Sequence, residues 1–589
     1  MRQFFISILG SVIGFFIAMV LILFFVFTLA VFAVNSAKPK KTTVSATTVL
    51  SMDLRNPMLD HGNGNSLFRN NTAFLVHIVR SLHDAKTNTK IKGLLIRANG
   101  WAMSPAQSEE IRLAIKDFQS SGKFVIAHAQ GFEGPSLSAY AAVSSADEIW
   151  MQDTTGFSPA GYRAEVEFLG GVFEKYDLKA NFIQFKEYKN AVNTYTQKGL
   201  TKPHREAMSE LLTSLMDDTV ANIANDRGIS EKSIRFFLQN APHSAEQAKE
   251  ASYVDKFGYW VDVKDYVKKK AGKNTNLLDI ARYEISPQKG PVIAFIGGQG
   301  IILPGKSSQG GPFSNKITMG GDTVSEAFVK ASKNDKVKAI VFRINSPGGS
   351  PAASDQIWDS VNRAKKAGKP VVISMGQYAA SGGYYVAANA DKIVAMPTTI
   401  TGSIGVYGGK VAIGDAAANF GYNTESITVG GEFSAAYSPF EPWSQANRAA
   451  MYGALEDIYA DFTSRVATGR NIPLDDVLKI AKGRVWTGTQ AKEVGLVDEL
   501  GGFMKAVEIA KKLAKIDEDT KVQIKKFPRP LTDIEQLQKM LNVSAQSAQD
   551  LKALRVFTSS PEFVALLKAR TALEPQSQES LKAALPTIE

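Results

Sequence analysis

The stretch VKAIVFRINSPGGS, residues 337–350, decides the fold, because IKGLLIRANG at 91–100 carries the same pattern about 245 residues upstream. Each is a short β-branched and apolar run that ends in small turn residues, the mark of a buried strand running into a loop. Working outward, GKPVVISM from Gly368 answers GKFVIAHA from Gly122, and YYVAANADKIVAMP from Tyr384 answers AYAAVSSADEIWMQ from Ala139. Further on, AKEVGLVDELG from Ala491 answers AKEASYVDKFG from Ala248. Order and spacing both repeat, so the chain is internally duplicated. Strand runs at Leu94–Ile96, Ala339–Phe342 and Val371–Ser374 alternate with amphipathic stretches at Ser108–Phe118 and Ser354–Lys366. Such alternation predicts parallel α/β layers. Lys268–Asn274 reads as a linker between the copies. Gly297-Gly298-Gln299-Gly300 fits neither a GxGxxG nor a P-loop pattern and reads as a loop. The part beyond about Ile524 belongs to neither copy and is expected to be helical.

A chain of 589 residues is roughly four times the common domain size, so at least two cores are expected. The absence of cysteine excludes thiol nucleophiles, iron–sulfur clusters, thiolate zinc sites and disulfides. The six histidines, His61, His77, His83, His128, His204 and His243, all precede Val254 and form no HExxH spacing. A catalytic centre in the second half therefore has no local imidazole, and no metal site is implied. Of the net charge of +11, Arg2, Lys38, Lys40 and Lys41 supply +4 beside one apolar segment. The remainder is mild for this length, and no zinc finger, RNP-like stretch or aromatic–basic stripe points to nucleic acid. Phe4 to Val34 carries no charge and exceeds the ~20 residues that cross a bilayer, so it is expected to be an uncleaved transmembrane helix. The apolar region of a signal peptide is about half as long. Positive charge on both flanks leaves the orientation open.

The copies differ where chemistry could reside. Ala380-Ser381-Gly382-Gly383-Tyr384 follows a predicted strand and opens a helix, a turn that exposes a side chain and aims backbone amides. The first copy reads Pro135-Ser136-Leu137-Ser138-Ala139, and matching Tyr384 with Tyr140 sets Leu137 opposite Ser381. Ser136 and Ser138 lie one residue to either side. The reciprocal difference is Lys186-Glu187-Tyr188-Lys189-Asn190-Ala191 against Gly431-Glu432-Phe433-Ser434-Ala435-Ala436, which sets Lys189 opposite Ser434. One copy holds a lysine without the serine, the other the serine without the lysine, the pattern of a site built where copies meet. A serine nucleophile needs a base, here an imported imidazole or a lysine whose burial lowers its pKa from about 10.4; Lys186 is the alternative lysine. The glycine pair in Asn345-Ser346-Pro347-Gly348-Gly349-Ser350 lets backbone amides turn inward, and the Gly382 amide follows the serine, which together suit an oxyanion. The first copy has Asn99-Gly100-Trp101 there and lacks the pair.

These two motifs and Thr401-Gly402-Ser403-Ile404-Gly405, taken in order with the duplication, resemble the signal peptide peptidase A family in its long, tandem-repeat, membrane-anchored form. The resemblance runs from the anchor to about residue 515. It implies an α/β fold of tandem duplicated Clp/crotonase-like domains with an N-terminal transmembrane helix. The activity implied is a serine endopeptidase that degrades cleaved signal peptides and other extended apolar peptides without metal, nucleotide or organic cofactor. Carried over by position, Ser381 matches the nucleophile, and Lys189 within Tyr188-Lys189-Asn190-Ala191-Val192 matches the general base. Ser403 matches a hydroxyl that holds the lysine, and the amides of Gly382 and of Gly348 or Gly349 match the oxyanion donors. Asn190 and Asn193 are more polar than the neighbours of the lysine in some relatives, which bears on substrate contacts. The resemblance further implies a homotetramer with its catalytic body on the extracytoplasmic side of a bacterial inner membrane, with peptides as partners and no nucleic acid. The expected layout is an anchor at 1–41, a lysine-supplying repeat at 42–275, a serine-supplying repeat at 276–523 and a helical extension at 524–589. A crotonase-like acyl-CoA-binding enzyme and a non-catalytic membrane scaffold are the alternative readings.

Overall fold

β-Branched runs bounded by turn residues become the parallel strands of two sheets, buried on both faces. The computed structural model describes residues 44–62, 74–98, 103–311 and 314–529. In the first copy β1 (Thr48–Asp53), β2 (Ile91–Arg97), β3 (Phe124–Ala129), β4 (Glu148–Met151), β5 (Lys256–Phe257) and β6 (Asn276–Asp279) form one sheet in the order β5-β4-β3-β2-β1-β6. Every pairing in it is parallel. The second copy contributes β7 (Val292–Gln299), β8 (Val337–Ser346), β9 (Val371–Ala380), β10 (Lys392–Ala395), β11 (Ile400–Gly402), β12 (Val485–Thr487), β13 (Glu499–Leu500) and β14 (Gln523–Phe527). Its main path is β12-β11-β9-β8-β7-β14, with β10 also on β9 and β13 on β10. Thus β7, β8, β9, β10, β13 and β14 repeat β1 to β6 in pairing order. The crossover helices start alike: Ser104 and Ser350 cap Pro105–Gln119 and Pro351–Lys366, each accepting from the third residue on, with proline in the first turn.

Several boundaries differ from expectation. Gly297, Gly298 and Gln299 are the end of β7 and not a loop, laddered to Arg343, Ile344 and Asn345. Glycine is needed at 297 because a Cβ there would lie 2.6 Å from the His61 ring. Lys268–Ala271 forms the last turn of helix Trp260–Ala271, so the linker reading fails for those residues. The first sheet runs past 275, since β6 pairs with β1. Likewise β14 covers the free edge of β7, so Ile524–Phe527 is strand and not the start of a helix. Lysines within Gln523–Phe527 conceal this strand in the sequence. The apolar segment Phe4–Val34, the tail from 530 and Asn99-Gly100-Trp101 lie outside the described residues. Among the described residues no helix is long and apolar enough to cross a membrane.

The two copies are joined by a mixed apolar layer that includes Val76, Phe295, Val341 and Phe503. Beside it Arg343, fully buried on β8, donates to Asp60 at 2.6 Å and to Glu110 at 2.7 Å, both carboxylates coming from the first copy. Ser374 Oγ and the Met375 carbonyl take further guanidinium N–H groups at 2.9 and 3.1 Å. The backbone N–H of Phe503 donates to Glu110 at 2.6 Å. Breaking a buried pair by removing one partner costs about 3–5 kcal/mol, because the remaining charge is stranded. Arg343→Met is therefore expected to lower the stability read from urea unfolding by that amount, and to lose much less when Asp60→Asn and Glu110→Gln are introduced with it.

Candidate active site

Strand β9 ends at Ala380 and helix Gly382–Tyr385 begins two residues later, which leaves Ser381 at φ 54°, ψ −121°. A non-glycine residue at that φ is strained, and the strain is held by the surrounding bonds. The Ser381 N–H donates to the Gly402 carbonyl at 2.8 Å, and its own carbonyl accepts from Tyr384 and Tyr385, each at 2.9 Å. The turn is packed too closely for side chains. A Cβ on Gly348 (φ 108°) would lie 2.9 Å from the Ser381 Cβ, and one on Gly382 would lie 2.5 Å from Ser354 Oγ. The Tyr384 hydroxyl donates to the Leu496 carbonyl at 2.9 Å, and Tyr140 in the first copy makes the same bond to Tyr253 at 3.0 Å. This shared anchor fixes the alignment of the copies, so the fully buried Leu137 stands opposite Ser381. Ser138, one residue on, is spent on the Tyr162 hydroxyl.

Lys189 reaches this turn from the first copy. Strand Lys179–Gln184 pairs antiparallel with Tyr407–Ala412 of the second copy and carries the following residues across. Lys189 is only 3% exposed, and its Nζ lies 3.1 Å from Ser381 Oγ, 2.8 Å from the Ser403 carbonyl oxygen and 2.9 Å from Ser403 Oγ. Burial pushes its pKa down to about 7. Two glycines make the seat. A Cβ on Gly483 (φ 86°) would lie 2.6 Å from the Lys189 nitrogen, and one on Gly405 would lie 3.0 Å from the Gly483 Cα, so the second glycine lets the first approach. Gly405 belongs to the Thr-Gly-Ser element, and the sequence signal for Gly483 is that Asn240 occupies the matching place in the first copy.

The other candidates separate cleanly. Lys186 is exposed, with its ammonium 5.6 Å from the centre of the Tyr459 ring. Among the described residues no histidine bonds Ser381; His204, for one, faces Asn193 at 3.3 Å. Ser434 sits in an exposed 3-10 turn, Glu432–Ala435. Of the three glycine amides, that of Gly348 donates to Ser346 Oγ at 3.1 Å. The Gly349 and Gly382 amides have no acceptor among the described residues. They are neighbours, since a Cβ on Gly382 would lie 3.2 Å from the Gly349 nitrogen. The site thus combines a strained hydroxyl, a buried amine and two unspent N–H groups.

Residues 117–274 and 363–517 match the family described as Peptidase family S49, once in each copy, and residues 316–402 match Clp protease. The duplicated α/β domains are thus Clp-protease-like. The chain is 31% identical to "Protease 4" of Salmonella typhi over 75% of this chain and 72% of that protein. It is 30% identical to "Protease 4" of Haemophilus influenzae over 76% and 74%. It is 29% identical to "Serine protease SPPA, chloroplastic" of Arabidopsis thaliana over 82% and 72%.

The lysine seat can be tested by filling it. Gly483→Ala combines a left-handed φ with a clash against backbone, and its stability in urea is expected to fall by about 1–3 kcal/mol. Alanine at the open, left-handed Gly368, where nothing lies within 4 Å, is expected to cost less.

Proposed function

The chain belongs to peptidase family S49 and is a serine peptidase, and we propose that Ser381 is its nucleophile and Lys189 its general base. The observation that carries this reading is the 3.1 Å approach of a buried amine to a strained hydroxyl. A neutral amine has two N–H donors and one lone pair. With the donors directed to the Ser403 carbonyl and hydroxyl, the lone pair faces the Ser381 O–H. Lys189 takes that proton as Ser381 Oγ bonds to the peptide carbonyl carbon. The negative charge that develops on the carbonyl oxygen is met by the amides of Gly382 and Gly349; Gly348 is the weaker candidate because Ser346 occupies its N–H. The ammonium then has three oxygens as acceptors and gives its proton to the leaving amine nitrogen. In the second half, Lys189 accepts a proton from water, which hydrolyses the ester and restores Ser381.

The substrates we propose are extended apolar peptides, cleaved signal peptides among them, met at a membrane surface by a chain anchored through Phe4–Val34. The proposed layout is an anchor within 1–41, a lysine-supplying repeat that ends near Asp279, a serine-supplying repeat that ends near Phe527, and an extension beyond it. Four such chains, with their catalytic bodies on the extracytoplasmic side of a bacterial inner membrane, complete the reading. It is supported by the resemblance of the three motifs and by the uncharged run itself.

Hydrolysis of a fluorogenic apolar peptide is expected to fall by at least about 10³-fold in both Ser381→Ala and Lys189→Met, with circular dichroism unchanged. Ser403→Ala, which frees the amine to shift, is expected to lower kcat by roughly 100-fold. Because the neutral amine is the active form, kcat/KM should rise as pH increases through about 7 and then level. A Lys189→Met enzyme that cleaves normally overturns the base assignment. Acyl-CoA turnover that survives Ser381→Ala would favour a crotonase-like enzyme, and a folded chain inert to all extended peptides would favour a scaffold.

A further inference from the structure

The strand pair that seats Lys189 and Ser381 is gripped at its far end by the first copy. β11 and β12 run antiparallel, with Ile400 opposite Thr487 and Gly402 opposite Val485. At the tip of this ribbon the Gly402 carbonyl takes the Ser381 N–H, and the Ser403 N–H donates to the Arg484 carbonyl at 2.7 Å. Ser403 and Gly483 seat the lysine there. The base of the ribbon, at Thr398 and Thr489, lies five residues of strand away, about 16 Å. The Thr489 N–H closes it by donating to the Pro397 carbonyl at 3.1 Å.

Two carboxylates of the first copy hold that base. Glu109 is 6% exposed and accepts from the Thr398 hydroxyl at 2.6 Å and from the Thr398 N–H at 3.2 Å. Asn222 donates to its other oxygen at 3.1 Å. Asp218, one turn before Asn222 on helix Lys202–Arg227, accepts from the Thr489 hydroxyl at 3.0 Å. A further turn back, Ser214 Oγ lies 2.8 Å from Thr487 Oγ1. Neither carboxylate forms an ion pair among the described residues, and Arg112, one turn beyond Glu109, is held by Asp226 at 2.7 Å. Burial pushes Glu109 up to about 7 and Asp218 up to about 6. The second copy shows the same positions without this task. Counted from the shared Ser-Pro cap, Asp355 matches Glu109; counted back from the ends of the two 26-residue helices, Arg465 matches Asn222. There the carboxylate is partly exposed and pairs with the arginine at 2.8 Å. The first copy has asparagine in place of that cation, and its carboxylate is turned to the ribbon.

We propose that Glu109, seconded by Asp218, is a positioning residue of the peptidase: by fixing Thr398 and Thr489 it holds the ribbon where Ser403 keeps Lys189 in reach of Ser381 and closed to water. The inference rests on the Ser381–Lys189 reading. Its physical basis is that the two partners come from different copies and need a common frame. Thr399 Oγ1 donates to the Gly376 carbonyl at 2.8 Å and Thr401 Oγ1 to that of Ala379 at 2.7 Å, which fastens the ribbon to β9, the strand that ends at Ser381. Glu109 and Asp218 fasten the same ribbon to the copy that supplies Lys189. The ribbon thereby sets the distance between amine and hydroxyl, and small misplacements of reacting groups are costly in rate.

The test follows kcat, KM and the pH profile of kcat/KM for a fluorogenic apolar peptide with the full-length chain. Glu109→Ala, Asp218→Ala and Thr398→Val, which removes the hydroxyl at nearly equal volume, are each expected to lower kcat by roughly 10-fold with KM within about 3-fold. Each is also expected to move the midpoint of kcat/KM above about 7, because water that reaches the amine favours its charged form. Glu109→Gln keeps an acceptor for Thr398 and is expected to return kcat to within about 3-fold and the midpoint to that of the wild type. Asp355→Ala, the matching change in the second copy, is expected to leave kcat within about 2-fold. A Glu109→Ala enzyme with the wild-type kcat and midpoint overturns the proposal. So does one that loses kcat at an unchanged or lowered midpoint with weaker resistance to urea, the mark of a structural role alone. If Lys189→Met cleaves normally, the dyad reading fails and takes this inference with it; where Lys189→Met is inactive, the Glu109 result judges the inference alone.

Discussion

A buried amine governs this structure. Holding Lys189 near a pKa of about 7 instead of 10.5 corresponds to about 5 kcal/mol set against its charged form. That environment is made by excluding water while leaving three oxygens within reach of the nitrogen. The exclusion depends on Gly483, whose missing side chain lets its loop close on the lysine backbone, and on Gly405, which lets that loop pack close in turn. It also depends on the antiparallel pair Lys179–Gln184 and Tyr407–Ala412, which delivers the lysine from the other copy. The triad of Arg343, Asp60 and Glu110 ties the copies together on the strand that leads into the Gly348-Gly349 turn.

Duplication lets the two partners arise on different halves of one chain. Both copies keep the turn anchored by Tyr140 or Tyr384, so the loss of the hydroxyl at Leu137 is a change of chemistry on a preserved frame. In the segment that carries Lys189, the left-handed Asp177 and Lys186 of the first copy match Gly421 and Gly430 of the second, and that register sets Phe433, one residue before Ser434, opposite the lysine. The two copies thus differ at this junction, one holding a buried amine and the other a strained hydroxyl.

Much of this was legible in the sequence because it rests on local signals. The paired strands and helices follow from β-branched runs and Ser-Pro caps, and the opposition of Ser381 to Leu137 follows from register alone; for Lys189 the match to Ser434 is one residue off, since the left-handed Lys186 and Gly430 set Phe433 opposite the lysine. What escaped reading depends on distant contacts. Nothing near Arg343 announces that its carboxylates lie 283 and 233 residues away. The choice between Gly348 and Gly349 turns on where the Ser346 hydroxyl points, and the need for glycine at 483 arises only once Lys189 is beneath it. Strand β14 was hidden because an edge strand tolerates lysine, and the end of β7 because glycines there resemble a loop while accommodating the His61 ring.

The central claim is that Lys189 is neutral at working pH because the junction between the copies desolvates it. Titration of the Lys189 amine by NMR, in protein labelled at lysine Cε and assigned against Lys189→Met, reads this directly. The account predicts one lysine that titrates near 7 and is absent from the variant. If every lysine titrates near 10.5, the amine is charged and solvated, and the account is wrong.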